Sequence, residues 1–412
     1  SRRVVEQFSR ASSSSAGEDG NRPARIAEAE GALKAVRDRL AAAIVAGHEV
    51  GLEEDEMQRA IAQRRKLHSA IQDMRGRIRV YCRVRPMSAR ERRRGEREVV
   101  SVCNGNLVEV QGQSAGPFAF DAVFNPGKQD EVFQEAQDLV QSVLDGQNVT
   151  VLCYGQTGAG KTHTMYGTDS EAGLAVQMVG KLFETADRRR ITVTGSLVEM
   201  HNGRVFDLLS GHDASPQMRS SLSLKWRDGD ADGVQLEGVI KRPLTSAAAL
   251  EELVAEGLSR RVVRAHAMNS DSSRSHALLT IYVSSAIDGS PYDSAAVDAK
   301  ITFVDLAGSE RLKRTETSCE RTREAIEINR SLSALGDVVE SIVQRRRHIP
   351  YRNHKLTQLL QDSLGGSAKV LVFVNCSPAS ASAQETTAAL KFASRAQRVT
   401  NSPGTRIAQG AR

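Results

Sequence analysis

Eight consecutive residues carry the sharpest chemical signal in the sequence: Gly155-Gln156-Thr157-Gly158-Ala159-Gly160-Lys161-Thr162. The spacing is GxxxxGK followed by a hydroxyl, directly after an apolar run and ahead of a helical pattern. Glycines so placed let backbone N–H groups turn inward on phosphate oxygens, and a helix N-terminus adds partial positive charge. Lys161 would reach the β- and γ-phosphates, and Thr162 would ligate Mg²⁺. A second stretch fits the same chemistry. The apolar run 301–304 ends at Asp305-Leu306-Ala307-Gly308-Ser309-Glu310. An acid at a strand end can hold Mg²⁺ through water, and the glycine beyond it can offer its N–H to a γ-phosphate. Third comes the polar octet Asn269-Ser270-Asp271-Ser272-Ser273-Arg274-Ser275-His276. Its serine hydroxyls suit Mg²⁺ and its waters, and Arg274 can pair with an acid such as Glu310. The second and third stretches are weak signals alone. Beside the phosphate loop they mark a nucleoside triphosphatase that senses its terminal phosphate.

These stretches need strands and helices to hold them. β-rich runs fall at 78–84, 149–154, 191–199, 278–283, 301–306 and 370–375. Helical patterns lie between them, at 129–144, 247–256, 323–343 and 384–398. Strands interleaved with helices predict an α/β domain with helices on both faces of its sheet. Four segments result: a serine-rich tail or linker (1–24), a helical neck (25–76), the α/β domain (77–398) and a short tail (399–412). In the neck, Ile26, Leu33 and Leu40 fall seven apart, as do Ala29, Val36 and Ala43. Ala60, Leu67 and Met74 repeat the spacing with Ile71, but Gly47 to Gly51 interrupts the register. A coiled coil wants three to four sustained heptads, so a helix is expected and its pairing stays open.

Composition narrows the class. Hydrophobic residues at 40% and charged residues at 26% of 412 exclude disorder throughout. Mean hydropathy is −0.37, and no run approaches the roughly 18 apolar residues of a membrane span. Ser1-Arg2-Arg3 leads into no signal segment, and the chain lacks an initiator Met, as a piece of a longer chain would. Five scattered cysteines (Cys82, Cys103, Cys153, Cys319, Cys376) form no CxxC pair. They read as small buried hydrophobes in a reducing, cytosolic compartment. Of the net charge of +6, residues 1–76 hold 13 basic and 12 acidic side chains, so +5 belongs to 77–412. No acid occurs from 341 to 361, where Arg345, Arg346, Arg347, Arg352 and Lys355 lie. Such a stretch is ordinarily a solvated face, and it becomes a docking surface only beside an acidic partner.

Taken together, the motifs resemble the kinesin motor domain. Residues 155–162 with His163-Thr164-Met165 are similar to its phosphate loop. Residues 269–276 resemble its first switch (NxxSSRSH), and 305–310 its second (DLAGSE). Arg83-Val84-Arg85-Pro86 is similar to the strand beside the adenine, Tyr351 to Thr357 to the filament-binding YRxSKLT, and Asn329 to Gly336 to the helix before it. The resemblance covers about 77–398, in the family's order. It implies a P-loop NTPase with a central, mostly parallel β-sheet flanked by helices on both faces, preceded by a neck helix. It also implies ATP hydrolysis with Mg²⁺, coupled to movement along microtubules in the cytoplasm and cytoskeleton, the spindle included, with no nucleic-acid or membrane partner.

The same resemblance assigns roles. Gly155 to Thr162 would cradle the phosphates, with Ser273 and Asp305 completing the metal shell begun by Thr162. Arg83, Arg85, Pro86 and His163 would line the adenine side. Ser272 would join the catalytic loop, Gly308 would sense the γ-phosphate, and Arg274 with Glu310 would close the switches around the attacking water. Arg352, His354 and Lys355 would meet the filament. A helix ahead of the motor resembles the C-terminal-motor class, which mostly moves toward minus ends and pairs as homo- or heterodimers through its neck. The alternative is a nucleotide-sensitive microtubule tether with little motility. Several residues depart from the family pattern: Arg77 follows Gly76 where Asn is usual, and Glu316 and Cys319 replace glycines. His266 replaces Thr, His201 and Gly203 replace Tyr and Glu, and His354 replaces Ser. His354 reads as an ordinary exposed histidine.

Overall fold

The computed structural model describes residues 22–49, 78–103, 107–168, 170–186, 190–210, 221–226, 234–267, 272–286, 297–310 and 319–401. The chain divides into two units, Ser1–Gly76 and Arg77–Arg412. In the first, α1 (Arg22–Glu49) runs 28 residues, with Pro23 in the first turn, where its missing N–H costs nothing. Val36 is exposed, while Leu33 and Leu40 are half-buried. The serine run, the second heptad run, the Gly76-Arg77 junction and the tail beyond Asn401 lie outside the described residues.

The second unit is built on a sheet of nine strands among the described residues. In chain order they are β1 (Arg79–Val84), β2 (Ala122–Phe124), β3 (Val149–Tyr154), β4 (Arg190–His201), β5 (Arg204–Asp207), β6 (Arg242–Leu244), β7 (His276–Ala286), β8 (Val297–Asp305) and β9 (Lys369–Cys376). Their spatial order is β5-β4-β7-β8-β3-β9-β1-β2, with β6 also on β4. From β8 through β2 every neighbour is parallel, whereas β7, β4, β5 and β6 form an antiparallel wing. The parallel half holds the phosphate loop and the 305–310 motif, because the strands that end at the loop and at Asp305 lie side by side, while the 269–276 motif leads into β7 of the wing.

Among the described residues nine α-helices accompany the sheet: α2 (Ala89–Arg93), α3 (Gln129–Ala136), α4 (Asp138–Leu144), α5 (Lys161–Tyr166), α6 (Leu174–Thr185), α7 (Ala247–Ala267), α8 (Cys319–Val343), α9 (Lys355–Leu359) and α10 (Ala383–Ala396). Alternate strand residues feed two cores, as a period of two requires. Val151, Phe303, Leu371 and Phe373 pack with α4, α6 and α7. Leu152, Val304, Val372 and Val374 face the other way, against α8 and α10. The pattern at 129–144 is two helices meeting at Gln137, and the one expected to end at 256 continues to Ala267. Cys82, Cys153 and Cys376 are buried thiols, but Cys103, expected inside, is exposed at the end of the short strand Val100–Cys103.

Candidate functional site

The phosphate loop leaves β3 at the carboxyl edge of the parallel strands, where open α/β sheets bind ligands. Gly155, Gly158 and Gly160 have φ values of 153°, 75° and 98°, all in the region that favours glycine. Gly155 is constrained twice over, since a Cβ there would stand 2.2 Å from the Asn375 carbonyl oxygen. Lys161 opens α5 and is buried. Its Nζ donates to the carbonyl oxygens of Gly155 and Gln156, each at 2.9 Å. One of its three donors remains for a phosphate. Burial lowers its pKa, and the nearby carboxylates of Asp305 and Glu310 oppose that shift.

Thr162, one residue on, donates its hydroxyl to Asp305 Oδ2 at 2.8 Å. Asp305 is 2% exposed, and its Oδ1 is buried without a hydrogen-bond partner. A hydroxyl, a carboxylate and an orphaned carboxylate oxygen are the hard oxygen donors that Mg²⁺ takes, so these residues fit the ion. Asp305 is held from behind by Arg261 of α7, whose Nη1 lies 3.5 Å from Oδ2. Arg261 also donates to the Ser275 hydroxyl and carbonyl and pairs with Glu199 at 3.6 Å. Sequence reading missed Arg261, because the helical pattern was closed at 256, short of it.

The two polar arms touch each other and the loop. Gly308 N–H donates to the Ser273 carbonyl at 3.0 Å, and Ser309 N–H to the Gly155 carbonyl at 3.1 Å. Glu310 accepts the Thr157 N–H at 2.7 Å and the Thr157 hydroxyl at 2.5 Å. A Cβ on Gly308 would lie 2.2 Å from Thr157 Oγ1 and 2.3 Å from Glu310 Oε2, so a side chain there would displace the Thr157–Glu310 contact. His276 joins the arms to α8. Its Nδ1 accepts the Ala307 N–H at 3.0 Å, which puts the ring proton on Nε2, 2.8 Å from Ser331 Oγ. Complete burial, with Arg261, Lys161 and two other histidines nearby, pushes its pKa down to about 3, so it is neutral. His276 belongs to the third motif, but its role appears only in the fold.

Other expectations change. Arg274 was expected on Glu310, yet its Nη1 binds Glu324 of α8 at 3.0 Å. Glu324 is 2% exposed and demands a cation, whereas Glu310 is already engaged with Thr157. Arg83 was expected to line the adenine side. Instead it is buried and bonded to Gln129 Oε1, Thr164 Oγ1 and the Gly127 carbonyl, so it braces α5 from beneath. Arg85 does reach the loop, donating to the Gly158 carbonyl at 2.7 Å while paired with Glu91. Pro86 is exposed beside it, and His163 lies 3.5 Å from Glu171. Ser272 starts the 3₁₀ turn Ser272–Arg274, and its side chain is not among those described. Asn269, Ser270, Asp271 and Glu316 lie outside the described residues, as do the side chains of His266 and Cys319.

At the basic segment, Arg345, Arg346, Arg347 and Arg352 are exposed and Lys355 is half-buried. His354, expected outside, is buried. Its Nδ1 accepts the Leu356 N–H and caps α9, so it cannot present itself to a filament.

A phosphate loop on a parallel sheet, an acid beside its hydroxyl and two arms meeting at its mouth define a P-loop nucleotide site. The family model for the kinesin motor domain matches residues 83–399, and the chain belongs to that family. Kinesin-like protein KIN-14I of Arabidopsis thaliana is 41% identical over 351 residues, covering 82% of this chain and 35% of the relative. Kinesin-like protein KIN-14E of Oryza sativa subsp. japonica is 40% identical over 352 residues, 83% of this chain and 32% of that protein. The chain thus spans about a third of the length of these relatives. Among solved structures, a fast kinesin aligns with TM-score 0.72 and 33% identity, over 81% of this chain and 96% of that one. A KIF14 dimer with AMP-PNP in complex with a microtubule aligns with TM-score 0.72 and 30% identity, over 79% and 95%.

Proposed function

We propose that this chain is the motor part of a microtubule-dependent ATPase of the C-terminal-motor class, working toward minus ends. Lys161 and the loop amides bind the β- and γ-phosphates, and Thr162, Ser273 and Asp305 hold Mg²⁺. Bound there, Mg²⁺ would neutralise charge developing on the phosphates. Gly308 N–H turns from the Ser273 carbonyl toward the γ-phosphate. Arg274 then leaves Glu324 for Glu310, which leaves Thr157, and the arms shut around the attacking water. Loss of the γ-phosphate reverses this, and α8, tied to the arms through His276 and Glu324, passes the change to the basic face. Tubulin is acidic, so exposed Arg345, Arg346, Arg347 and Arg352 complement it.

The observation that carries this reading is the junction at Gly308, where both arms and the phosphate loop meet within hydrogen-bond distance. Identity of about 40% with KIN-14 relatives supports the class. The test is a polarity-marked gliding assay beside ATPase measured with and without microtubules. Minus-end-directed gliding with stimulated turnover is expected. Binding without gliding would favour a tether, and turnover indifferent to microtubules would overturn the motor reading.

A further inference from the structure

Three positions where the sequence departs from the kinesin pattern, two in one hairpin (His201 and Gly203) and one far along the chain (His354), meet at one end of α8. Glu324 and Glu327 stand three residues apart there, on one face of the helix. Glu324 lies 3.5 Å from His201 Nε2, at the end of β4, and 3.0 Å from Arg274. Glu327 lies 3.0 Å from His354 Nε2. Gly203, with φ of +67°, comes so close that a Cβ would stand 2.8 Å from Glu327 Oε1.

Each departure contributes something the pattern residue could not. A serine at 354 could cap α9 through the same Leu356 N–H, but it is too short to reach Glu327 as well. Histidine does both: Nδ1 accepts the cap, so the neutral ring carries its proton on Nε2 and donates it to Glu327. Burial lowers the His354 pKa, Glu327 opposes this, and Arg330 and Lys355 reinforce it. A glutamate at 203 would set a second carboxylate against Glu327, and glycine leaves the room. His201 Nε2 stands 3.5 Å from buried Glu324, beyond hydrogen-bond geometry but close enough to pair with the carboxylate when the ring is protonated.

We propose that His354–Glu327, admitted by Gly203, and His201–Glu324 are paired positioning contacts that make α8 a strut between Arg274 and the docking turn Tyr351–Asn353. Through them, movement of Arg274 is delivered to Arg352 and Lys355 rather than absorbed by a loose α8–α9 junction. The inference rests on the motor reading and adds to it the side chains through which coupling runs.

The experiment compares wild type with His354→Ser, Glu327→Ala and the double variant, by microtubule co-sedimentation in AMP-PNP and in ADP. His354→Ser can keep the cap while losing the strut, and because it also empties a buried site its urea midpoint is measured beside that of wild type. Each single variant should shrink the ratio of the two affinities about fivefold or more, in line with typical coupling strengths, and the double should be no worse. Microtubule-stimulated kcat should fall less than the microtubule concentration for half-maximal rate rises. An unchanged ratio in His354→Ser, or additive losses in the double, overturns the strut. If wild type binds equally in both nucleotides, the motor reading fails instead. The contact is then judged by urea midpoints of the same four proteins, where non-additivity sustains it and additivity removes it.

Discussion

The phosphate loop and the near end of α8 handle charge in opposite ways. In the loop, charge is managed by backbone: three glycines with left-handed φ, two carbonyls on Lys161, and a helix N-terminus just beyond. Everything lies within eight residues, packed so closely that a Cβ on Gly155 would meet the Asn375 carbonyl. At α8, charge is managed by side chains from distant segments, with Arg274 and His201 sharing one carboxylate and His354 holding another. Such contacts can exchange partners. A fixed cradle beside an exchangeable set of ion pairs is what a nucleotide-driven switch requires, since the ligand must find one region constant and change the other.

The most severe way to break this contrast is to remove the cradle's charge. Lys161→Ala should lower ATP turnover about a thousandfold or more, roughly 4 kcal/mol of transition-state stabilisation. Steady-state ATPase measures it. The α8 pairs should survive in this variant, because none includes Lys161. Near-normal turnover would remove the phosphate-loop assignment.

The same contrast explains what could be read in advance. The bounds expected for β3 match the strand, because a run buried through Cys153 and stopped by Gly155 leaves little choice. The loop residues announced themselves because backbone chemistry is written in consecutive letters. Side-chain pairing is not. Glu324 looked like one acid among several on a helix, and nothing local says that it is 2% exposed with Arg274 above it. The same holds for Arg261, whose importance comes from β8 placing Asp305 against α7. His354, expected outside, is buried, and its partner Glu327 lies 27 residues earlier, beyond any local pattern. Helix ends failed for a related reason: α7 runs on past 256 because tertiary contacts on Arg260 and Arg261 hold it.

His276 sits between the two regions, and pH can separate them. Its native pKa of about 3 lies below the ordinary histidine value of ~6.5, so the folded state favours the neutral ring. Stability from this group is complete above ~6.5. It is lost as pH falls toward 3, at about 1.4 kcal/mol per pH unit at most. A proton on Nδ1 would also expel the Ala307 N–H and free the second arm. Urea unfolding between pH 7 and 4 should show this slope in wild type and a shallower one in His276→Asn. Equal slopes would place the acid sensitivity in other groups.

The smallest effect belongs to the docking face, where charges are exposed and exchangeable with solvent ions. Arg352 is exposed and Lys355 half-buried, so each should contribute no more than ~1 kcal/mol to filament affinity at moderate salt. Neutralising both, as Arg352→Gln with Lys355→Gln, should weaken microtubule co-sedimentation several-fold at low salt. The difference should shrink as ionic strength rises, because the Debye length falls from about 30 Å at 0.01 M to ~8 Å at 0.15 M. Basal ATPase should be unaffected. A salt-independent loss would mean that these residues shape α9 rather than attract the filament. That outcome would move the docking face into the mechanically coupled region and erase the distinction between charge that attracts and charge that positions.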